Sequence, residues 1–184
     1  MSLDFELGTK EISVQFDLDK NPASATQWTA AHATSGVLNV SADGQNLFSF
    51  DWTWVELIEW LGQNWSELTH NLSDAETAFA VNIFENSTYK AFEEKVWEFK
   101  ESHDLARAVQ GALIPSVIVS RVDDTGMVSV KTIYGKTQTY NLPWSEVEDI
   151  LRALGDCLAG VLRPLSDPRA VIALKEWDHN SAVV

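Results

Sequence analysis

Residues 37–69 read VLNVSADGQNLFSFDWTWVELIEWLGQNWSELT, and the side-chain period changes in their middle. Val37-Leu38-Asn39-Val40 and Leu47-Phe48-Ser49-Phe50 flank Ala42-Asp43-Gly44-Gln45. Asp-Gly between two apolar runs predicts a hairpin, because both turn positions tolerate positive φ. From Thr53 the pattern turns helical. Thr53 with Glu56 matches a capping box, in which each side chain satisfies a free backbone N–H. Trp54, Leu57, Ile58, Leu61, Trp65 and Leu68 then share one face, with Glu56, Glu59, Gln63 and Glu67 on the other.

Upstream of this stretch, Ile12, Val14 and Phe16 alternate with polar residues, the period of a half-buried strand. Residues 20–35 hold Asn21-Pro22 and many Ala, Ser and Thr, a loop carrying Trp28. Downstream, Ser73 with Glu76 opens a shorter helix that ends near Asn82. A third helix is expected over residues 87–110, with Tyr89, Phe92, Val96 and Phe99 in phase, a break near Ser102-His103-Asp104, and Gly111 as its stop. Strands return after Pro115. Val117, Val119 and Arg121 alternate with Ile118, Ser120 and Val122, Asp123-Asp124-Thr125-Gly126 supplies turn chemistry, and residues 127–134 and 136–142 complete a three-stranded meander. Ser145 with Glu148 is a third capping box, followed by apolar positions to Leu162. Asp167-Pro168 then restarts a helix with Pro at its tolerated first position.

Strands grouped apart from helices predict an α+β fold: N-terminal antiparallel strands with a hairpin, central helices, a β-meander and a C-terminal helical hairpin. At 184 residues the chain is expected to form one domain over 1–180, with a subdivision at 1–110 and 111–180 as the variant, and a frayed tail at 181–184. A chain of this length buries enough surface to fold without disulfide or metal.

Several functions are disfavoured. There are 27 acids against 13 bases, a net charge of −14, so the surface repels phosphate backbones and direct nucleic-acid binding is not expected. The N-terminus carries Asp4 and Glu6 and no apolar run of signal-peptide length, and no stretch approaches a membrane span. The single cysteine, Cys157, fits a reducing cytoplasm, and its apolar helix marks it as a packing residue. Asn39, Asn64, Asn71 and Asn86 begin glycosylation-type triplets that carry no meaning in a cytoplasmic protein. His32, His70, His103 and His179 are scattered, so neither a metal nor any other cofactor is expected. G-x-G-x-x-G, P-loop and G-x-S-x-G motifs are all missing, and the chain is read as non-catalytic.

Two features stand out. Residues 21–89 contain no Lys or Arg but eight acids, and residues 1–89 hold 13 acids against 2 bases. Unpaired carboxylates project a field that steers a basic partner; the plainer account is a solvated face kept for solubility. The second feature is eight tryptophans, four of them (Trp52, Trp54, Trp60 and Trp65) within 14 positions. Trp brings large contact area with one polar handle, which suits interface anchors, although one aromatic core would also account for the cluster. Trp60 and Trp97 are expected to be exposed. The partner-binding residues are therefore expected to be Glu56, Glu59 and Glu67 for steering, with Trp60 and Trp97 as anchors, on an acidic, Trp-containing helix face that docks a basic protein. A DNA-mimic inhibitor of a DNA-binding or nuclease protein, and an enzyme with a pocket around His103, are the alternatives. No membrane association is expected, and self-association stays open.

Residues 54–65, with Trp97, then residues 103–111 (HDLARAVQG) and Pro115, resemble an N-terminal region found in some bacterial ImmA/IrrE-type zinc metallopeptidases. There a helix of EWL..NW type is followed by a W…H.L..A..G…P stretch and a β-meander. The resemblance covers roughly residues 36–165. Peptidase chemistry in that family belongs to an H-E-x-x-H helix, which this chain lacks. The resemblance thus implies an accessory, partner-sensing role in bacterial or phage-related regulation or defence, and no peptidase activity.

Overall fold

The computed structural model describes residues 2–8, 12–19, 35–42, 45–83, 90–108, 116–131, 137–165 and 167–182. The loop expected around Trp28 lies outside them. The fold is α+β. The chain divides into two units, one of Met1–Trp65 with Asp149–Val184 and one of Ser66–Glu148. The boundaries fall inside two helices, α1 (Trp54–Thr69) and α4 (Trp144–Leu162).

The first unit holds a four-stranded antiparallel sheet in the order β1 (Ser2–Gly8), β2 (Ile12–Asp19), β3 (Ser35–Ala42), β4 (Gln45–Thr53). Ala42 pairs with Gln45, which leaves the two-residue connection that Asp-Gly suits. The β3–β4 register shifts between Val40 and Ser41, the irregularity of a bulge. Thr53 stands directly before the first helical residue of α1, where the capping pattern places it. Trp54, Leu57, Ile58, Leu61 and Trp65 are buried as the helical period requires.

Trp177 of α5 (Pro168–Asn180) is the centre of the helical packing in this unit. Its indole meets Trp65 edge-to-face at 5.0 Å and donates from Nε1 to Asp156. Two glycines make room for it. A Cβ on Gly62 would stand 2.9 Å from the Trp177 backbone nitrogen, and one on Gly155 would overlap its ring. Arg152 donates to the carbonyl of Ser181 and Arg163 pairs with Asp178, so α4 and α5 form the expected C-terminal hairpin. Asp167 caps α5 by accepting from the N–H groups of Arg169 and Ala170, with Pro168 at the tolerated first turn.

The second unit contains the last turn of α1, α2 (Asp74–Asn82), α3 (Lys90–His103), a 3-10 turn at Leu105–Ala108, and a meander β5 (Ser116–Val122), β6 (Thr125–Lys131), β7 (Thr137–Pro143). The break expected near Ser102-His103-Asp104 is where α3 ends. Asp104 fixes it: its carboxylate accepts from the N–H of Ala106 and Val117 and from Ser116 Oγ, with Lys100 Nζ 3.8 Å away. Ser73 and Glu76 form the full capping box of α2.

Three local expectations are corrected here. The β5–β6 turn is Asp123-Asp124 alone, with Asp123 at φ 52° and Val122 paired to Thr125. Asn71 holds that turn by accepting from the Asp123 N–H at 2.6 Å. Gly126 belongs to β6, where a Cβ would strike Val147, so it serves packing instead of turning. The alternation expected of β5 is replaced by burial of all four residues from Val117 to Ser120, because both faces of the strand are covered. Finally, α4 begins at Trp144, whose N–H donates to Asp124, so Ser145 lies inside the first turn and not at the cap. No helix among the described residues is long and apolar enough to cross a membrane.

Candidate functional site

The second unit contains a cleft of about 540 Å³. Glu67 comes from the end of α1 and His70 from the residue after it, Glu76 and Phe79 from α2, and Lys95, Glu98, Phe99, Ser102 and His103 from α3. Helical spacing explains the α3 set: residues 95, 98, 99 and 102 recur at three and four positions and so share one face. Phe79 and Phe99 meet edge-to-face at 5.6 Å and form the apolar wall. Glu67, Glu76 and Glu98 are exposed, and Lys95 is the one cation among the lining residues. Three carboxylates against one ammonium make the cleft electronegative.

His103 closes one side. Its imidazole lies parallel to the Phe99 ring at 4.0 Å and is 4% exposed. Nδ1 is 3.1 Å from the Phe99 carbonyl oxygen and 2.8 Å from Ser102 Oγ. Nε2 is buried with no hydrogen-bond partner among the described residues. Burial holds the His103 pKa below its ordinary value; the Phe99 hydrogen bond and the charges of Glu67 and Glu76 oppose that shift, and His70 adds to it. Glu76 titrates below the usual carboxylate range because Ser73 donates to it from both its hydroxyl and its backbone.

The five residues singled out from sequence are not gathered in one place. Glu56 and Glu59 lie in the first unit, and Arg169 of α5 reaches both: its Nη2 is 2.7 Å from Glu59 and its Nη1 is 4.0 Å from Glu56. One guanidinium thus offsets one of their two charges, chiefly that of Glu59, which the cation-free run around them concealed. Trp60 is 7% exposed, which corrects its expected exposure: the apolar face of α1 is wider than the stripe drawn from Trp54 and Trp65, and it takes in Trp60. Glu67 lines the cleft. Trp97 is 54% exposed, as expected, but its position on α3 faces away from the cleft residues. The guanidinium of Arg107 lies 3.8 Å over its ring.

His70, Glu76, Glu98, Phe79 and Phe99 were missed as a set. Glu76 and Phe99 were visible individually, as a cap and as an apolar in-phase residue, but nothing in the spacing joined three helices around them. Cys157, expected as a packing residue, is half-buried in the first unit, and burial pushes its thiol pKa up. Among the described residues, no group of three or more His, Cys, Asp or Glu is placed to hold a metal ion.

No protein-family model matches the chain, and no curated protein or solved structure matches it either.

Proposed function

We propose that this is a non-catalytic, acidic binding protein that docks a basic protein partner in the cleft of α1, α2 and α3. The observation that carries the reading is the pairing of exposed Glu67, Glu76 and Glu98 with the Phe79–Phe99 wall. Carboxylates steer and orient a cationic group, and the aromatic wall covers its apolar stem. The docking surface thus moves from the α1 face around Trp60 to the far end of that helix and its neighbours, with Glu67 common to both. Trp97 is exposed on the other side of α3 and is a contact separate from the cleft. The resemblance to a partner-sensing region of bacterial metallopeptidases supports a setting in regulation or defence.

The enzymatic alternative receives one supporting observation, since the cleft does converge on His103. Its hydrogen bonds argue for binding instead. A catalytic imidazole is usually oriented by a carboxylate that stabilises its charged form, whereas His103 Nδ1 faces a carbonyl. Ser102 Oγ donates to that same carbonyl at 3.3 Å, and with the ring hydrogen on Nδ1, facing the carbonyl, the 2.8 Å contact of Oγ with Nδ1 gives the hydroxyl no base to activate it. The pairing of Glu56 and Glu59 with Arg169 likewise interrupts the carboxylate stripe that a DNA mimic needs.

The test is selection of peptides from a random library on the purified protein, repeated with Glu67→Lys/Glu98→Lys. Both residues are exposed, so the double variant is expected to fold. The wild type enriches Lys- and Arg-containing peptides whose affinity falls steeply with salt, and the double variant loses them by tenfold or more, on the order of 1.4 kcal/mol. Equal enrichment by both proteins refutes the cleft as the docking site.

A further inference from the structure

The chemistry of the occupant can be read from His103, given that the cleft is the docking site. Nδ1 lies within hydrogen-bond distance of the Phe99 carbonyl oxygen, which accepts only, so Nδ1 carries the hydrogen. Ser102 Oγ fits the same assignment, because its own hydroxyl donates to that carbonyl and leaves its lone pairs for the imidazole. A neutral imidazole with its hydrogen on Nδ1 presents Nε2 as a pure acceptor. Burial keeps the ring in that neutral form at pH 7. Nε2 is thus a buried acceptor with no partner among the described residues, in the wall of a cleft lined by three carboxylates. Buried polar atoms without partners are uncommon in folded proteins, and His103 Nε2 is one that borders a cleft a donor can enter.

The three cleft carboxylates and His103 Nε2 all ask for a donor of positive charge. We infer that the cleft receives a lysine or arginine side chain of the protein partner, with one of its N–H groups donated to His103 Nε2. Its methylenes lie on Phe79 and Phe99, and its charge faces Glu67, Glu76 and Glu98. Nε2 has no accessible surface as it stands, so entry displaces the half-buried side chains that line the cleft beside it.

The experiment is a titration of histidine-15N-labelled protein with Nα-acetyl-lysine methylamide and with Nα-acetyl-arginine methylamide. Nα-acetyl-norleucine methylamide serves as the uncharged match. With a charged probe the His103 Nε2 resonance moves upfield, the direction of a lone pair that accepts a hydrogen bond, and saturates together with the amides around Glu67 and Glu98. The norleucine derivative leaves it in place. His103→Phe, which keeps an aromatic stack on Phe99 but removes the acceptor, binds the charged probe about tenfold more weakly. Saturation at the Glu67 and Glu98 amides with an unmoved Nε2 overturns this inference and leaves the docking reading intact. No response at any cleft resonance overturns both, and the wild-type readout holds even if His103→Phe fails to fold.

Discussion

Two glycines on helices of the first unit give opposite expectations for one added methyl group. Gly62 lies against the backbone of Trp177, where a Cβ would come to 2.9 Å, whereas a Cβ on Gly160 meets nothing within 4 Å. Gly62→Ala is expected to destabilise by about 1–3 kcal/mol, because backbone cannot move aside as a flexible side chain can. Gly160→Ala is expected to gain up to about 1 kcal/mol from helix propensity. Thermal melting of the two variants checks both signs. His103 supplies the second prediction at this scale. Its folded pKa lies below its ordinary value near 6.5, so the unfolded chain takes up the proton first. The stability this contributes is complete above pH 6.5 and is lost as the pH falls through the folded value. The charged and titratable groups lining the cleft with it are Glu67 from α1, His70 just after that helix, Glu76 from α2, and Lys95 and Glu98 from α3. Urea titrations from pH 7.5 downward should show this decline in the wild type. In His103→Phe, with no proton to take up at that position, the slope near pH 6 should shrink.

At the scale of elements, α2 depends most on its cap. It spans nine residues, too short to be stable alone, and it carries Glu76 and Phe79 to the cleft. Ser73→Ala removes the oxygen that accepts from the Glu76 N–H and a donor to the Glu76 carboxylate. The expected cost is about 1 kcal/mol, within the range of cap deletions, with faster hydrogen exchange confined to α2 amides. Uniform protection across α2 in the variant would show that packing, and not the cap, holds the helix. This cap was legible because its residues stand three apart and act on each other directly. The analogous pair Ser145 and Glu148 was equally legible and did not set the boundary. Asp124, twenty residues upstream in the meander, accepts the Trp144 N–H and starts α4 one residue sooner. Local chemistry proposes helix ends, and a distant carbonyl can overrule it.

For the whole molecule, the net charge of −14 and an isoelectric point near 4.5 set the colloidal behaviour. Solubility should be least near pH 4.5 and rise steeply toward pH 7, as turbidity at fixed concentration would show. A minimum displaced well above pH 4.5 would mean that several carboxylates stay protonated at neutral pH. The α+β class and the division into strand and helix blocks were legible throughout, because they rest on side-chain periods that survive in any tertiary context. The burial of Trp54 and Trp65, the three-stranded meander and the Asp167-Pro168 helix start are of that kind. The site was not. Arg169 reaches Glu59 across 110 positions of chain, so charge counted along the sequence misstated charge in space. Trp60 is expected from sequence to be exposed, yet it is 7% exposed in the folded chain. By itself, then, the sequence determined which segments are helix or strand and that the protein is strongly acidic, since propensity, period and ionisation are properties of near neighbours. Only the tertiary structure decided which carboxylates remain unbalanced and which helices bring Glu67, Glu76, Glu98 and His103 around one cleft, because charge balance and concavity depend on distances that no spacing along the chain encodes.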